Sequence, residues 1–150
     1  MTDLEIRPAT AADVPAIVAL LADDFLGATR ENPDDLAPYL DAFARADADP
    51  NQHIVVAERD GRVVGTLQLT VIQGLSLKAA KRAQVESVRI HRGERGSGLG
   101  TILMEWSATR ARELGCTVVQ LTSNAQRTDA HRFYERLGYE PTHIGFKLAL

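Results

Sequence analysis

Three glycines fall within five residues in the run Arg95-Gly96-Ser97-Gly98-Leu99-Gly100-Thr101. Glycine lets a turn bring its backbone close to a ligand and aim successive N–H groups outward. A helix beginning at such a turn adds partial positive charge, so the run has the chemistry of a phosphate cradle. Two nucleotide-binding patterns fail on spacing. A dinucleotide fingerprint needs G-x-G-x-x-G, which glycines at 96, 98 and 100 do not supply. A phosphate-binding NTPase loop needs a lysine before its Ser/Thr, and here Gly100 is followed directly by Thr101. What remains is R-G-x-G-x-G.

The flanking elements are those a cradle requires. Before it, residues 83–91 place apolar Val88 and Ile90 between polar Gln84, Glu86 and Arg89 and predict a strand. Val85 breaks the period of two, which signals an irregularity or burial on both sides. After it, Leu99, Ile102, Leu103, Trp106, Ala111 and Leu114 recur mostly at helical spacing, with Gly115 as the stop.

The rest of the chain reads in order. Residues 5–7 predict a first strand ended by Pro8, and Thr10 with Asp13 resembles a capping box before a helix carrying Val14, Ile17, Val18, Leu21 and Phe25. A second helix is expected from about Asp34 to Ala46, with Pro38 implying an irregular first turn or a later start, and residues 53–59, Asp60-Gly61 and 63–72 form a hairpin pattern. Residues 74–81 read as a loop or short helical segment and 116–121 as a buried strand. Ala130, Phe133, Tyr134 and Leu137 mark a last helix stopped by Gly138, and 142–150 read as extended. The order predicts one domain over 1–150, an α/β chain whose single mixed sheet has helices on both faces.

Bulk properties narrow the partners. The net charge of −3 is uneven: −8 over residues 1–50, +4 over 51–100 and +1 over 101–150. The basic surplus coincides with the cradle, which suits an anionic ligand there. With 5% aromatic residues and an acidic balance, the chain lacks the stacking surface of a nucleic-acid binder. No apolar run approaches about 18 residues, so no membrane span is expected. The start of the chain has no signal-peptide pattern, and the lone Cys116 cannot form an intramolecular disulfide; both fit a cytoplasmic protein.

The cradle resembles the pyrophosphate loop of the GCN5-related N-acetyltransferases, whose pattern is Q/R-x-x-G-x-G/A. Arg95, Gly98 and Gly100 match it, and Gly96 matches a common extra glycine. The run Ala130-His131-Arg132-Phe133-Tyr134-Glu135-Arg136-Leu137-Gly138-Tyr139 is similar to the family's A-x-x-F-Y-x-x-x-G-F/Y. The element order is also the family's, so the resemblance covers nearly the whole chain. It implies a mostly antiparallel sheet of six to seven strands and an acetyl-CoA-dependent N-acetyltransferase acting on a primary amine of a small molecule or peptide. Transfer would be direct, without an acyl-enzyme.

The resemblance also implies roles. The N–H groups of Arg95, Gly96, Ser97, Gly98, Leu99, Gly100 and Thr101 would hold the coenzyme A pyrophosphate. Val88 would offer a backbone N–H to the acetyl carbonyl, and Ile90 would pair its backbone with the pantetheine arm. Transfer to an amine needs a base, since an ammonium has no lone pair. Glu86 is the first choice, two residues before Val88 and so expected on the same strand face. Gln84 stands where histone-modifying members carry glutamate, which argues against that substrate. Glu86 could instead pair with an arginine, and His91 and His131 are substitutes. Tyr134 matches the tyrosine that serves the departing thiolate, or else it is a core aromatic. Many members have an asparagine seven residues before that tyrosine. Here the position is Arg127, with Asn124 three residues earlier; either could contact the cofactor, and Arg127 could instead bind a phosphate or an acidic group of the substrate. The acceptor would lie against residues 25–47 and 74–82. A non-catalytic acyl-CoA sensor and an enzyme using another acyl donor are the rival readings. Homodimerisation, common in the family, is left open.

Overall fold

The computed structural model describes residues 3–150. Its frame is a five-stranded sheet in the order β1-β2-β3-β4-β5, made of β1 Leu4–Pro8, β2 Gln52–Arg59, β3 Arg62–Gln73, β4 Lys81–Ile90 and β5 Val118–Leu121. The first four pair antiparallel, and β4 pairs β5 in parallel. Asp60 and Gly61, both with positive φ (54° and 75°), make the tight turn between β2 and β3, which is why that hairpin reads clearly from its Asp-Gly pair.

Helices lie on both faces. On one, α5 Leu99–Glu113 packs Leu99, Leu103, Met104 and Ala111 against Val55, Ala57, Leu67, Leu69, Ala83 and Val85. The other face carries α1 Val14–Ala22 and α3 Ala37–Asp47, whose Val14, Val18 and Phe43 meet Val56. Strand β2 therefore buries both sides, which explains its unbroken run of apolar residues. One-turn segments α2 Gly27–Arg30 and α4 Ser76–Ala79 join these pieces, and α6 Thr128–Arg136 rests against the α5 side through Phe133 and Tyr134.

The start of α1 is anchored electrostatically. Arg7 bridges Asp13 (2.7 Å) and Glu58 (2.6 Å), and Asp13 also accepts the Thr10 N–H (2.8 Å). The Arg7 hydrogen bond foremost holds the Asp13 carboxyl down at about 2.

Three expectations need correction. The sheet has five paired strands among the described residues rather than six or seven, because residues 142–150 form no strand. The strand expected at 116–121 begins at Val118 and is a half-exposed edge rather than buried. The second long helix starts at Ala37 rather than near Asp34, since Pro38 is tolerated only in a first turn.

Candidate active site

The centre of the site is a fault in β4. Gln68 pairs with Glu86 and Thr66 with Arg89, so Ser87 and Val88 together face the single residue Leu67. Ser87 takes a left-handed φ of 56° to make this bulge. A bulge takes one residue out of the ladder, and it also changes which face the next side chains occupy. Ala83 and Val85 point to the α5 side before the bulge, and Val88 and Ile90 do so after it. Glu86 sits opposite Gln68 and Arg89 opposite Thr66 on the other face. The expectation that Glu86 and Val88 share a face is therefore wrong, because it counted in twos across an inserted residue.

A cleft opens at the same level. Strands β4 and β5 stay paired only from Arg82–Val118 to Val85–Leu121, and beyond that point β4 continues alone to Ile90. The main chain of 86–90 thus has no partner strand on its β5 side. Below the cleft, Glu86 is exposed and makes no ion pair or hydrogen bond among the described residues, so it is not the arginine-paired carboxylate that was the alternative.

The cradle takes the expected form. Gly98, at φ 87°, caps the start of α5, and Gly96 is also left-handed at φ 81°. Among the described residues, the N–H groups of Gly96, Gly98, Gly100 and Thr101 find no acceptor, whereas that of Ser97 goes to the Glu94 carbonyl (3.1 Å) and that of Leu99 to the Ser97 hydroxyl (3.4 Å). Arg95 is exposed at the rim. Unspent donors at the N-terminus of a 15-residue helix fit a pyrophosphate. Gly100 has a second use, since a Cβ there would lie 3.3 Å from the Phe133 ring, where α6 seats on α5. We expect Gly98→Ala to lose about 1–2 kcal/mol of stability, the cost of a left-handed alanine, measured by urea unfolding. Calorimetry should show weaker coenzyme A binding for the same variant.

Tyr134 projects from α6 beside Phe133 and Tyr139, with ring centroids 5.2 and 6.0 Å away. Burial raises its pKa above the ordinary phenol value, opposed by the charges of Arg89 and Arg127, so at neutral pH it is a protonated donor. Those two arginines converge on Asp24, just beyond α1. Arg127 Nη2 lies 2.6 Å and Arg89 Nε 3.4 Å from the same oxygen, Oδ2. Burial acts to raise the Asp24 pKa, but the Gly27 N–H and Arg127 outweigh it and hold the carboxylate ionised. Gly27 is needed for this turn, because a Cβ there would sit 1.8 Å from the Leu21 carbonyl oxygen.

The Asn124 side-chain oxygen accepts the Gln126 N–H (2.9 Å), and its carbonyl accepts the Arg127 N–H (2.9 Å). His131 is likewise tied to the Asn124 carbonyl (2.9 Å), and His91 accepts the Gly93 N–H (3.0 Å). Arg89 and Asp24 were missed by sequence reasoning. Arg89 sits in the predicted strand, but only the bulge shows which face it occupies, and nothing local marks Asp24.

An apolar pocket lies on the α1 and α3 side of the sheet. It lies between Ile17 and Leu21 of α1, Tyr39 and Phe43 of α3, and Gln68 and Ser87 of the sheet. Residues 74–82, expected to contact the acceptor, do not line this pocket.

A bulged β4 parting from β5, with a glycine cradle opening the next helix, defines an acyl-coenzyme A transferase fold. The model of the acetyltransferase (GNAT) family matches residues 14–139, and the chain belongs to that family. It is therefore an N-acetyltransferase that uses acetyl-CoA. The chain is 34% identical over 146 residues to the aminoalkylphosphonate N-acetyltransferase of Salmonella typhimurium, covering 97% of this chain and 91% of that protein. A crystal structure of a transcriptional regulator from Bacillus halodurans is 40% identical and superposes with a TM-score of 0.95, covering 99% of this chain and 100% of that one. A putative acetyltransferase from Agrobacterium tumefaciens is 27% identical, with a TM-score of 0.82 over 97% and 99% of the two chains. Among the described residues, no helix is long and apolar enough to cross a membrane.

Proposed function

We propose that one domain spanning 1–150 transfers acetyl directly from acetyl-CoA to the primary amine of a small acceptor, in the cytoplasm. The observation that carries this reading is the Glu86 carboxylate, unpaired among the described residues, beside the β4 bulge and next to Gln68 and Ser87, which line the apolar pocket. In this reading the acceptor enters as an ammonium and gives a proton to Glu86, directly or through water. The freed amine attacks the acetyl carbonyl, whose developing negative charge is met by the Val88 N–H. The C–N bond forms, the C–S bond breaks, and the Tyr134 hydroxyl protonates the departing thiolate.

The donor would be held along the open side of β4 by the main chain at Ile90, with Asn124 near its arm. Its pyrophosphate would rest on the N–H groups of residues 95–101. We place Arg127 on the acceptor side, because its guanidinium is turned to Asp24 beyond α1. Cys116 is a poor nucleophile, since burial raises its pKa and Lys81 only partly offsets this. That favours direct transfer over an acyl-enzyme.

The pocket is apolar and bounded by helices on two sides, which favours a compact acceptor over a peptide. The Salmonella relative, named for aminoalkylphosphonates, supports the same class. A panel of amines, amino acids and peptides, followed by thiol release, tests this. Turnover of small amines is expected, and turnover of peptides alone would overturn the small-acceptor reading.

We also propose a second copy of the chain as a partner. Residues 142–150 alternate like a strand, yet Ile144, Phe146, Leu148 and Leu150 are 81%, 91%, 86% and 117% exposed. The tail passes Thr122, just past β5, whose outer edge is open. Unpaired strand edges and exposed apolar rows are removed together if two copies exchange tails onto each other's β5, an isologous arrangement. Light scattering should report a dimer, and Phe146→Asp should shift it toward monomer. A monomeric wild-type chain at micromolar concentration would contradict the exchange.

A further inference from the structure

The Arg89–Arg127 pair carries more donors than its surroundings can use. Each guanidinium presents five N–H groups. Among the described residues Arg127 spends one on Asp24, through Nη2 at 2.6 Å. Arg89 gives Nη1 to the Val88 carbonyl (2.9 Å), while its buried Nε, 3.4 Å from Asp24, makes no hydrogen bond. Both side chains are largely buried, at 21% and 24% exposed. Buried donors are nearly always satisfied, so a site this short of acceptor atoms is built for something that brings them.

The position narrows what that is. Arg89 lies two residues beyond the bulge on the face of Glu86, and the Tyr134 phenol is within electrostatic reach of both guanidiniums. Among the described residues, Asp24 is the one carboxylate that forms an ion pair with either. Glu31 acts on Arg89 from farther away, and its Oε1 accepts the Tyr39 hydroxyl (3.0 Å). The arginine pair is thus beside the reacting groups, on the acceptor side.

We infer that Arg89 and Arg127 form a subsite for an oxyanion carried by the amine acceptor, with Asp24 holding the two guanidiniums together. This rests on the acetyl-transfer reading above. An oxyanion offers several lone pairs to two planar forks, the geometry in which arginine binds phosphonate, phosphate or carboxylate most strongly. A phosphonate, with three oxygens and up to two charges, uses more of the unspent donors than a carboxylate can. Asp24 occupies one fork position, so the acceptor's anion completes the shell around the remaining N–H groups. The subsite fixes one end of a short acceptor and leaves its amine to reach Glu86.

The test compares three acceptors of equal chain length: an aminoalkylphosphonate, an aminoalkylcarboxylate and a plain alkylamine, each with acetyl-CoA and thiol release as the readout. The wild type should prefer the phosphonate to the alkylamine by at least about 10²-fold in kcat/KM, with the carboxylate between them. Arg127→Gln should shrink the phosphonate-to-alkylamine ratio by about 30-fold or more, through KM rather than kcat, and Arg127→Lys should recover part of it. A ratio unchanged in Arg127→Gln, or equal use of all three acceptors by the wild type, overturns the subsite while leaving acetyl transfer intact. Absence of turnover with every amine would instead bring down the transfer reading and the subsite with it.

Asp24→Asn gives a readout that needs no catalysis. It leaves two guanidiniums without their carboxylate, so its melting temperature should fall. Aminoalkylphosphonate should raise that temperature more than it raises the wild type's. No phosphonate-induced shift in either protein would count against the subsite.

Discussion

Glu86→Gln should lower kcat at neutral pH by about 10²- to 10⁴-fold, the usual contribution of a positioned general base. The amide keeps the size of the side chain, and since the Glu86 carboxylate has no partner among the described residues, the substitution breaks no hydrogen bond or ion pair there. Stability should stay within about 0.5 kcal/mol, as for other exposed sites. The pH profile carries the sharper signature. With the carboxylate present, a bound ammonium can be deprotonated on the enzyme. Without it, only acceptor already deprotonated in solution can react. The variant's rate should therefore climb about tenfold per pH unit up to the acceptor's own pKa, and the gap to wild type should narrow as pH rises. A parallel loss at every pH would remove Glu86 as the base.

Tyr134→Phe is the second large effect. The phenol is held protonated because burial raises its pKa against the opposing pull of Arg89 and Arg127, so it can give a proton to a thiolate across the neutral range. Its removal should lower kcat by about 10²-fold while the Kd of coenzyme A changes by no more than about twofold. The packing with Phe133 and Tyr139 survives, because the ring remains. The sign of the alkaline limb follows from the raised pKa. Wild-type kcat should fall only as pH passes above the ordinary phenol value of 10.0, and that limb should be missing in the variant. Full activity in Tyr134→Phe would reduce the residue to a core aromatic.

The parts that could be read in advance share one property: their information is local. The Asp-Gly turn, the glycine cradle before α5 and the Phe-Tyr motif on α6 each depend on a few adjacent residues whose backbone or side-chain demands are narrow. The acetyl-CoA-using family followed from two of them, and the match over residues 14–139 bears it out.

What stayed hidden is long-range. The bulge at Ser87 is set by how β4 meets Leu67; the break in period at Val85 signals an irregularity but does not say which residue is inserted. Glu86 and Val88 were consequently placed on one face when they lie on two. Asp24 and Arg127 are far apart in sequence and meet at 2.6 Å only because α1 ends beside the β5–α6 loop. The alternation of the tail reads as a strand of the chain's own sheet. It has no partner there, because a strand pattern specifies a face to be covered and not which chain covers it.

Acetyl transfer can be followed with acetyl-CoA labelled in its acetyl carbon, mixed with the purified chain and a pool of small primary amines. The label should appear in the amide of an acceptor, with one thiol released per amide formed and none retained on the protein. Initial rates should give intersecting patterns for the two substrates, as direct attack in a ternary complex requires. Label trapped on Cys116 with parallel rate patterns would show an acyl-enzyme and contradict direct transfer. Tight coenzyme A binding with no label in any amine would contradict the assignment of Glu86 and Tyr134 to catalysis.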